Sequence, residues 1–209
     1  MLIDKAGWPF IGGAVLLAII AGLWLGRAWS VPFLILAAFF FFFFRDPDRT
    51  TPGDPNIVVS PADARVMAVG AFPGKGAPPG EWQWISMFLS PMDVHVNRTP
   101  VGGTVTRVEY HPGRFLPAYK PEAGELNEWT EVWFDTPGGP VVVRQIVGIL
   151  ARRIVCRLTT GEKVVGGQRF GVMKFGSRID MFVPRTAMIL TNVGEKVVGG
   201  ETVIANLKP

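Results

Sequence analysis

The chain is organised around the stretch Lys174-Phe175-Gly176-Ser177-Arg178, which runs directly into the strand-like Ile179-Asp180-Met181-Phe182-Val183-Pro184. Gly176 has no side chain to shield its carbonyl, and it can adopt backbone angles that other residues avoid. If the fold aims the Ser177 hydroxyl at that carbonyl, the amide can shift to an ester. Elimination then breaks the chain, and the dehydroalanine left at Ser177 loses ammonia to become a pyruvoyl group. Because Gly-Ser pairs are also common in turns, the pair alone leaves both interpretations open.

Four further stretches accompany Phe175-Gly176-Ser177-Arg178-Ile179-Asp180 and favour the chemical interpretation. Together these motifs resemble the phosphatidylserine decarboxylase family, in the short form whose processing site is FGSR rather than LGST. They occur in the family's order, over residues 44–184. The four stretches are Phe44-Arg45-Asp46-Pro47, Ser60-Pro61-Ala62-Asp63, Leu89-Ser90-Pro91-Met92-Asp93-Val94-His95-Val96-Asn97-Arg98 and Gln145-Ile146-Val147-Gly148-Ile149-Leu150-Ala151-Arg152-Arg153-Ile154.

The resemblance implies a precursor that cleaves itself between Gly176 and Ser177, giving a β chain of residues 1–176 and an α chain of residues 177–209 that stay associated. The pyruvoyl group derived from Ser177 is the implied cofactor. Its ketone would form a Schiff base with phosphatidylserine in the membrane and act as an electron sink. The products would be carbon dioxide and phosphatidylethanolamine.

Three titratable residues are candidates for acid–base chemistry. Asp93 and His95 lie two positions apart, on one face if the segment is extended. Histidine titrates near neutral pH, which makes His95 the best general acid or base in the chain, although it can also be a structural histidine. Asp63 occupies a turn position where aspartate usually caps the backbone. The resemblance instead implies an acid–base or orienting role for Asp63 in self-cleavage.

The sequence departs from the longer bacterial members of the family at one position. Those members carry a second histidine, three residues after the first and paired with the processing serine, where this chain has Arg98. Either His95 serves both self-cleavage and decarboxylation, or another group takes one role. His111 is the substitute candidate.

Several basic residues are candidates for binding the substrate. Arginine offers a planar fork that suits phosphate or carboxylate. Arg152 and Arg178 lie in or next to the motifs and are predicted to contact the substrate, as is His111. No histidine or cysteine spacing indicates a metal site.

Two apolar runs near the N-terminus predict a membrane-anchoring helical hairpin. Trp8 to Leu25 and Val31 to Phe44 would extend about 27 and 21 Å as helices. A secretory signal peptide is disfavoured because a second apolar run follows and no cleavage site precedes a mature domain. Lys5, Arg45 and Arg49 flank the hairpin and only Arg27 lies at its tip, which predicts that the main domain is cytoplasmic, on the cell's inner membrane. The sequence leaves open whether the hairpin spans the bilayer or dips into one leaflet.

The predicted domain organisation is a hairpin at residues 1–45, a Pro-rich linker at 46–56 and a decarboxylase domain at 57–209. Short β-rich runs separated by Gly and Pro predict a mainly β domain, a two-halved antiparallel β-sandwich or barrel-like fold. Gly161-Glu162-Lys163-Val164-Val165-Gly166-Gly167 recurs as residues 194–200, which indicates pseudo-symmetry. Strands are predicted at Ile57–Ser60, Ala64–Val69, Trp84–Leu89, Gly103–Tyr110, Glu131–Asp135, Val141–Ile149 and Arg153–Leu158, with a short helix near Glu122–Asn127.

The net charge of +4 favours an anionic partner. The basic residues do not cluster with aromatics as in nucleic-acid motifs, so a membrane surface is preferred and no nucleic-acid partner is predicted. The single cysteine, Cys156, excludes an internal disulfide framework. Homo-oligomer formation is left open.

Two other functional classes are weighed against the decarboxylase. A membrane-bound serine hydrolase would use Ser177 as nucleophile with Lys174 or His95 as base, and its chain would stay intact. A non-catalytic membrane-tethered β-domain would also stay intact and would tolerate substitution of Ser177 and His95.

Overall fold

The computed structural model describes residues 2–72, 76–149, 154–174 and 176–208. They form two compact units that divide between Asp48 and Arg49. This division falls inside the predicted linker, residues 46–56. The exact domain limits given by the sequence stay a prediction.

The N-terminal unit is a helical hairpin, as predicted. Pro9 and Pro32 occupy the first turns of its two long helices, where a missing backbone N–H costs nothing. Ala14, Ala18 and Ala21 are the buried positions of the first helix, so small side chains share one face at helical spacing. The elements are β1 (Leu2–Ile3), a 3₁₀ turn (Lys5–Gly7), α1 (Trp8–Trp24), a second 3₁₀ turn (Arg27–Ser30), α2 (Val31–Phe43) and β2 (Arg45–Asp46), with β1 and β2 paired antiparallel.

The first helix is long and apolar enough to cross a membrane. The continuous helical stretch Lys5–Trp24 has 20 residues and a mean hydropathy of 1.9. At 1.5 Å per residue it extends about 30 Å, close to the thickness of a hydrocarbon core. The second, Arg27–Phe43, is shorter. Leu23 and Trp24 are largely exposed, so the hairpin leaves much apolar surface uncovered.

The second unit is built almost entirely of antiparallel strands, which confirms the mainly β prediction. Its only α-helix in the described ranges is the single turn α3 (Ala123–Leu126). The strands are β3 (Ile57–Val59), β4 (Ala64–Gly70), β5 (Trp82–Leu89), β6 (Val96–Arg98), β7 (Gly103–His111), β8 (Trp129–Asp135), β9 (Val141–Ile146), β10 (Ile154–Cys156), β11 (Lys163–Val164), β12 (Arg169–Met173), β13 (Ser177–Pro184), β14 (Met188–Ile189), β15 (Lys196–Val197) and β16 (Val203–Asn206).

An eight-stranded sheet forms the body of this unit, in the order β11-β7-β8-β9-β13-β5-β4-β15. Two three-stranded sheets, β10-β12-β6 and β14-β16-β3, accompany it. No sheet closes into a barrel among the residues that the structure describes. The predicted alternative of a barrel-like closure is therefore replaced by open sheets.

The internal repeat has a structural counterpart. Its two copies supply β11 and β15, which pair with β7 and β4 at the two opposite edges of the large sheet. The backbone bonds match as well: Gly161 N donates to Val105 O and Gly194 N donates to Val66 O. The large sheet is therefore two similar halves that meet between β9 and β13.

Strand β13 lies at this meeting line, so both faces of the sheet are buried along it. Successive residues of a strand point to opposite faces. Ile179, Met181 and Val183 enter the main apolar core, and we call their side the inner face. Arg178, Asp180 and Phe182 point the other way, to the outer face, where Phe182 packs with Trp84 and Val142.

The predicted strands are confirmed with small shifts at their ends. Strand β9 stops at Ile146 rather than Ile149, and β10 is shorter than predicted. The predicted start of β10, Arg153, lies outside the described residues. Cys156 is half-buried, and burial raises the pKa of its thiol.

Candidate active site

Ser177 is the first residue of β13, on the inner face opposite Leu89 of β5. It is fully buried, and its Oγ has no hydrogen-bond partner in the part of the chain that the structure describes. A buried hydroxyl without a partner forfeits its bonds to water, which costs about 1–3 kcal/mol. A catalytic role is one explanation for an unsatisfied group of this kind.

The residue before it has a backbone conformation that side chains rarely adopt. Gly176 has a φ of 73°, in the left-handed region that disfavours side chains. Its carbonyl oxygen lies directly against the backbone of Gly148, two residues beyond the end of β9. A Cβ at residue 148 would overlap that oxygen far inside contact distance. Two glycines thus shape the peptide bond at the start of β13.

His95 is buried just before β6, and its ring orientation is set locally. Its Nδ1 lies 2.9 Å from the backbone carbonyl of Asp93. Because a carbonyl only accepts, Nδ1 carries the hydrogen in this bond, and the basic lone pair belongs to Nε2. The arrangement therefore suits a histidine that accepts a proton at Nε2.

Asp93 supports the turn that precedes His95 rather than contacting the imidazole with its carboxylate. Its Oδ2 accepts a hydrogen bond of 2.8 Å from Ser90 N, and its own N–H donates to Ser90 O. The turn runs from Ser90 to Asp93, and the Asp93 carboxylate is used within it. Asp93 holds His95 through its backbone carbonyl.

Strand pairing brings the His95 turn and the Gly176–Ser177 peptide to the same end of the domain. Leu89, opposite Ser177, is followed immediately by the turn from Ser90 to Asp93. Met173 N donates to the backbone oxygen of His95 at 3.2 Å. Met173 thus lies at the backbone of His95, and Ser177 lies opposite the residue that precedes the Ser90 turn.

Asp63 lies in the turn before β4, and its carboxylate accepts hydrogen bonds from two groups. Arg49 Nη2 donates to both oxygens, at 3.1 and 2.8 Å, and Gly199 N donates to Oδ1 at 2.8 Å. Burial raises the pKa of Asp63 above its ordinary value. The Gly199 bond and the Arg49 charge oppose that rise, and the charge of Asp93 adds to it. The Asp63 carboxylate therefore interacts with the charge of Asp93, and its orientation is fixed by the hydrogen bonds from Arg49.

Arg178 points to the outer face, away from the side on which Ser177 lies. Its Nε and Nη2 donate to the two carboxylate oxygens of Asp180, each at 2.7 Å, in a buried bidentate pair. Beside it, Arg144 forms a second buried pair with Glu131 at 2.6 Å. Arg178 thus follows Ser177 in sequence and lies on the opposite side of the strand.

His111 is not brought to Ser177. It ends β7, half-exposed and stacked 3.7 Å from the ring of Trp129. Strands β8 and β9 separate β7 from β13, which at about 4.8 Å per strand is about 14 Å. Arg152, the other predicted substrate contact, lies outside the described residues. Within the described ranges, no group of three or more His, Cys, Asp or Glu side chains could hold a metal ion.

Sequence reasoning missed three features of this region. The Arg49 partner of Asp63 carries no local signal, since 14 residues separate the two. Gly148 belongs to a quoted motif, and a glycine closely following a strand can indicate close backbone approach. The third is a buried amide pair joining two sheets, in which Gln145 Nε2 donates to Asn97 Oδ1 at 2.7 Å.

Comparisons with known proteins point to one family. A sequence model described as "Phosphatidylserine decarboxylase" matches residues 36–205. A phosphatidylserine decarboxylase proenzyme of Symbiobacterium thermophilum is 44% identical over 207 residues, covering 99% of this chain and 96% of that one. Proteins of the same name from Nitrosomonas europaea and Ralstonia nicotianae are 40% and 41% identical. These alignments cover 98% and 99% of this chain, and 94% and 96% of the relatives.

Proposed function

The chain belongs to the phosphatidylserine decarboxylase family, and we propose that it becomes active by cutting itself between Gly176 and Ser177. It is a decarboxylase that converts phosphatidylserine to phosphatidylethanolamine and carbon dioxide. The observation that carries the proposed processing is the buried Ser177 hydroxyl, which has no partner among the described residues and adjoins the carbonyl of a glycine in the left-handed region. The relatives are named proenzymes, which fits a precursor that is cleaved into two chains.

The proposed cleavage needs only the precursor and one water molecule. Ser177 Oγ loses its proton and attacks the Gly176 carbonyl carbon, so that the C–N bond breaks and an ester to the serine oxygen forms. Loss of the Ser177 Cα proton expels the Gly176 carboxylate and leaves dehydroalanine. Water then displaces the amine as ammonia, and a ketone remains at the new N-terminus.

His95 is the proposed proton carrier. Its Nδ1 is held by the Asp93 carbonyl, so Nε2 is the atom that can accept a proton and return it. With Arg98 in place of a second histidine and His111 on a distant strand, the same imidazole would serve both processing and turnover. Asp63, held by Arg49, is proposed to orient or assist this exchange.

A pyruvoyl group fits the residues at this position. Ser177 provides the atoms for it, and the absence of a side chain at Gly148 makes room for the departing Gly176 carboxyl. When formed, the group supplies a ketone that reacts with the substrate amine and accepts the electrons left by the departing carboxylate. In the same site His95 would hold the proton that the substrate α-carbon gains.

Cleavage at this bond would leave the fold assembled. Strand β13 would belong to the α chain, residues 177–209, yet it pairs along its length with β5 and also with β9. Strands β15 and β16 pair in the same way with β4 and β3. The two chains are therefore proposed to remain one unit. Homo-oligomer formation stays a prediction.

The N-terminal hairpin is proposed to anchor the enzyme where its substrate resides. Its first helix has the length and hydropathy of a membrane span, which fits membrane association. The distribution of Lys5, Arg45, Arg49 and Arg27 supports an inner-membrane location with the catalytic domain on the cytoplasmic side.

The proposal is tested by turnover of phosphatidylserine in mixed micelles, measured as released carbon dioxide. We expect activity from the cleaved wild-type protein and none from Ser177→Ala, which should remain one chain. Activity in an intact Ser177→Ala chain would refute the proposal. A serine hydrolase would instead react with serine-directed probes as an intact chain.

A further inference from the structure

The peptide bond between Gly176 and Ser177 lies at the point where β13 pairs with only one of its two neighbours. On the β5 side, pairing begins at Ser177 itself. On the β9 side, it begins one residue later, between Arg178 and Ile146. There the Gly176 carbonyl oxygen meets the backbone of Gly148, in the segment that follows β9. Contacts other than strand pairing with β13 must therefore set the position of this segment.

Asn127 holds the peptide unit that precedes Gly148. Its Nδ2 donates to Val147 O at 2.8 Å, and Val147 N donates to the oxygen of the neighbouring Glu128 at 3.1 Å. Because a peptide unit is planar, holding the Val147 oxygen also orients the nitrogen and Cα of Gly148. A Cβ on that Cα would overlap the Gly176 carbonyl oxygen. The backbone that touches this oxygen is thus held by two consecutive residues, 127 and 128.

The same amide group holds the loop that packs on Gly148. This loop, residues 112–128, connects β7 to β8. Asn127 Oδ1 accepts a bond from Leu116 N at 2.9 Å, and Asn127 Nδ2 donates to Leu116 O at 2.8 Å. Two residues farther along, Ala118 is buried, and its Cβ would lie 3.5 Å from a Cβ at residue 148. The loop and the Gly176 carbonyl therefore meet at Gly148.

Asparagine suits position 127 because one short, planar group has to accept one hydrogen bond and donate two. Asn127 is 1% exposed, and all three bonds are with backbone groups. Aspartate would present a carboxylate oxygen to two carbonyls, and leucine would leave all three backbone groups without these bonds. Buried backbone groups are costly to leave unpaired, so loss of the amide should displace the loop and the segment after β9.

We infer that Asn127 is a positioning residue for self-cleavage. By orienting Gly148, it holds the Gly176 carbonyl where the Ser177 hydroxyl attacks. The inference rests on the proposed cleavage and names a residue that sets its rate. After cleavage the Gly176 carbonyl becomes the terminal carboxylate of the β chain, so this positioning is needed for processing and not for turnover.

The test separates processing from turnover. Full-length protein is synthesised in a cell-free system with detergent micelles, and the appearance of two fragments is followed by denaturing electrophoresis. Asn127→Ala removes all three bonds, and a shift of the peptide by about 1 Å would slow cleavage by about 10²-fold. In the fraction that has been cleaved, kcat for phosphatidylserine per pyruvoyl group should match that of wild type. A residue that only stabilises the fold would not separate the two rates.

Two further variants complete the series. Asn127→Ser has a shorter side chain that cannot make all three bonds, so it should also process slowly, and it replaces Asn127→Ala if that variant does not fold. Thr136→Ala is the matched control in the turn at the other end of β8 and β9. There the buried Thr136 Oγ1 donates to Gly139 O at 2.7 Å and accepts from Gly138 N at 3.1 Å. Thr136→Ala should process at the wild-type rate.

Three results would overturn the inference. They are wild-type processing of the folded Asn127 variants, an equal fall in processing and in kcat, and processing of Thr136→Ala that is as slow as that of Asn127→Ala. A wild-type chain that remains intact while it releases carbon dioxide from phosphatidylserine would instead refute the proposed cleavage.

Discussion

The guanidinium of Arg49 donates hydrogen bonds to both carboxylate oxygens of Asp63, at 3.1 and 2.8 Å. Arg49 is the first residue of the second unit and follows the hairpin directly. The segment is fixed further where Thr50 N donates to Glu201 at 3.0 Å. The chain that leaves the hairpin is thereby tied to the aspartate proposed to assist self-cleavage.

Arg49→Gln should move the pH dependence of self-cleavage. The Arg49 charge lowers the pKa of Asp63 against the effect of burial, so its removal raises that pKa further. If processing uses the carboxylate, its rate falls as pH drops through the Asp63 pKa, and the fall should begin at a higher pH in the variant. The rate of fragment appearance is followed against pH, with Arg185→Gln as control because its pair with Glu81 is exposed. Identical profiles for wild type and Arg49→Gln would show that Asp63 does not act as a carboxylate.

Gly148→Ala should block cleavage without changing the charge of any group. The added methyl group would collide with the Gly176 carbonyl oxygen and displace the peptide bond from the Ser177 hydroxyl. We expect intact precursor by denaturing electrophoresis. Gly53→Ala is the matched control, since a Cβ there meets nothing within 4 Å. Normal processing of Gly148→Ala would contradict the proposed role of this contact.

The two histidines should behave differently on substitution. His95→Gln removes the proposed proton carrier, and a general base contributes about 10²–10⁴-fold to a rate. We expect processing to slow by that order. His111→Gln should process normally because two strands lie between His111 and β13. The reverse pattern would make His111 the base.

Asp180→Asn should destabilise the domain strongly. It leaves the buried Arg178 guanidinium without its counter-charge, and breaking a buried ion pair in this way costs about 3–5 kcal/mol. The measurement is thermal unfolding in detergent. Glu81→Gln breaks an exposed pair with Arg185 and should change stability by about 0–1 kcal/mol. Equal melting temperatures for Asp180→Asn and wild type would show that the pair is not a stabilising element.

The sequence predicts the strands and the hairpin well because their signals are local. Two apolar runs predicted α1 and α2, and the repeat at residues 161–167 and 194–200 predicted the pseudo-symmetry that the two sheet edges show. The face of each β13 residue also follows from alternation once the strand is known.

The partners within the site could not be predicted, because they depend on contacts between distant segments. Arg49 reaches Asp63 and Gly148 reaches Gly176 only through tertiary packing. The pattern Asp93-Val94-His95 suggested two aligned side chains and gave no signal for the bond between Ser90 N and the Asp93 carboxylate. Arg178 was predicted to contact the substrate from its place beside Ser177, with no signal for its buried partner Asp180.

The mass of the purified chain under denaturing conditions tests the central claim most directly. The account predicts two fragments that meet between Gly176 and Ser177, the smaller one blocked at its N-terminus by a pyruvoyl group. A single intact chain in a preparation that releases carbon dioxide from phosphatidylserine would contradict it.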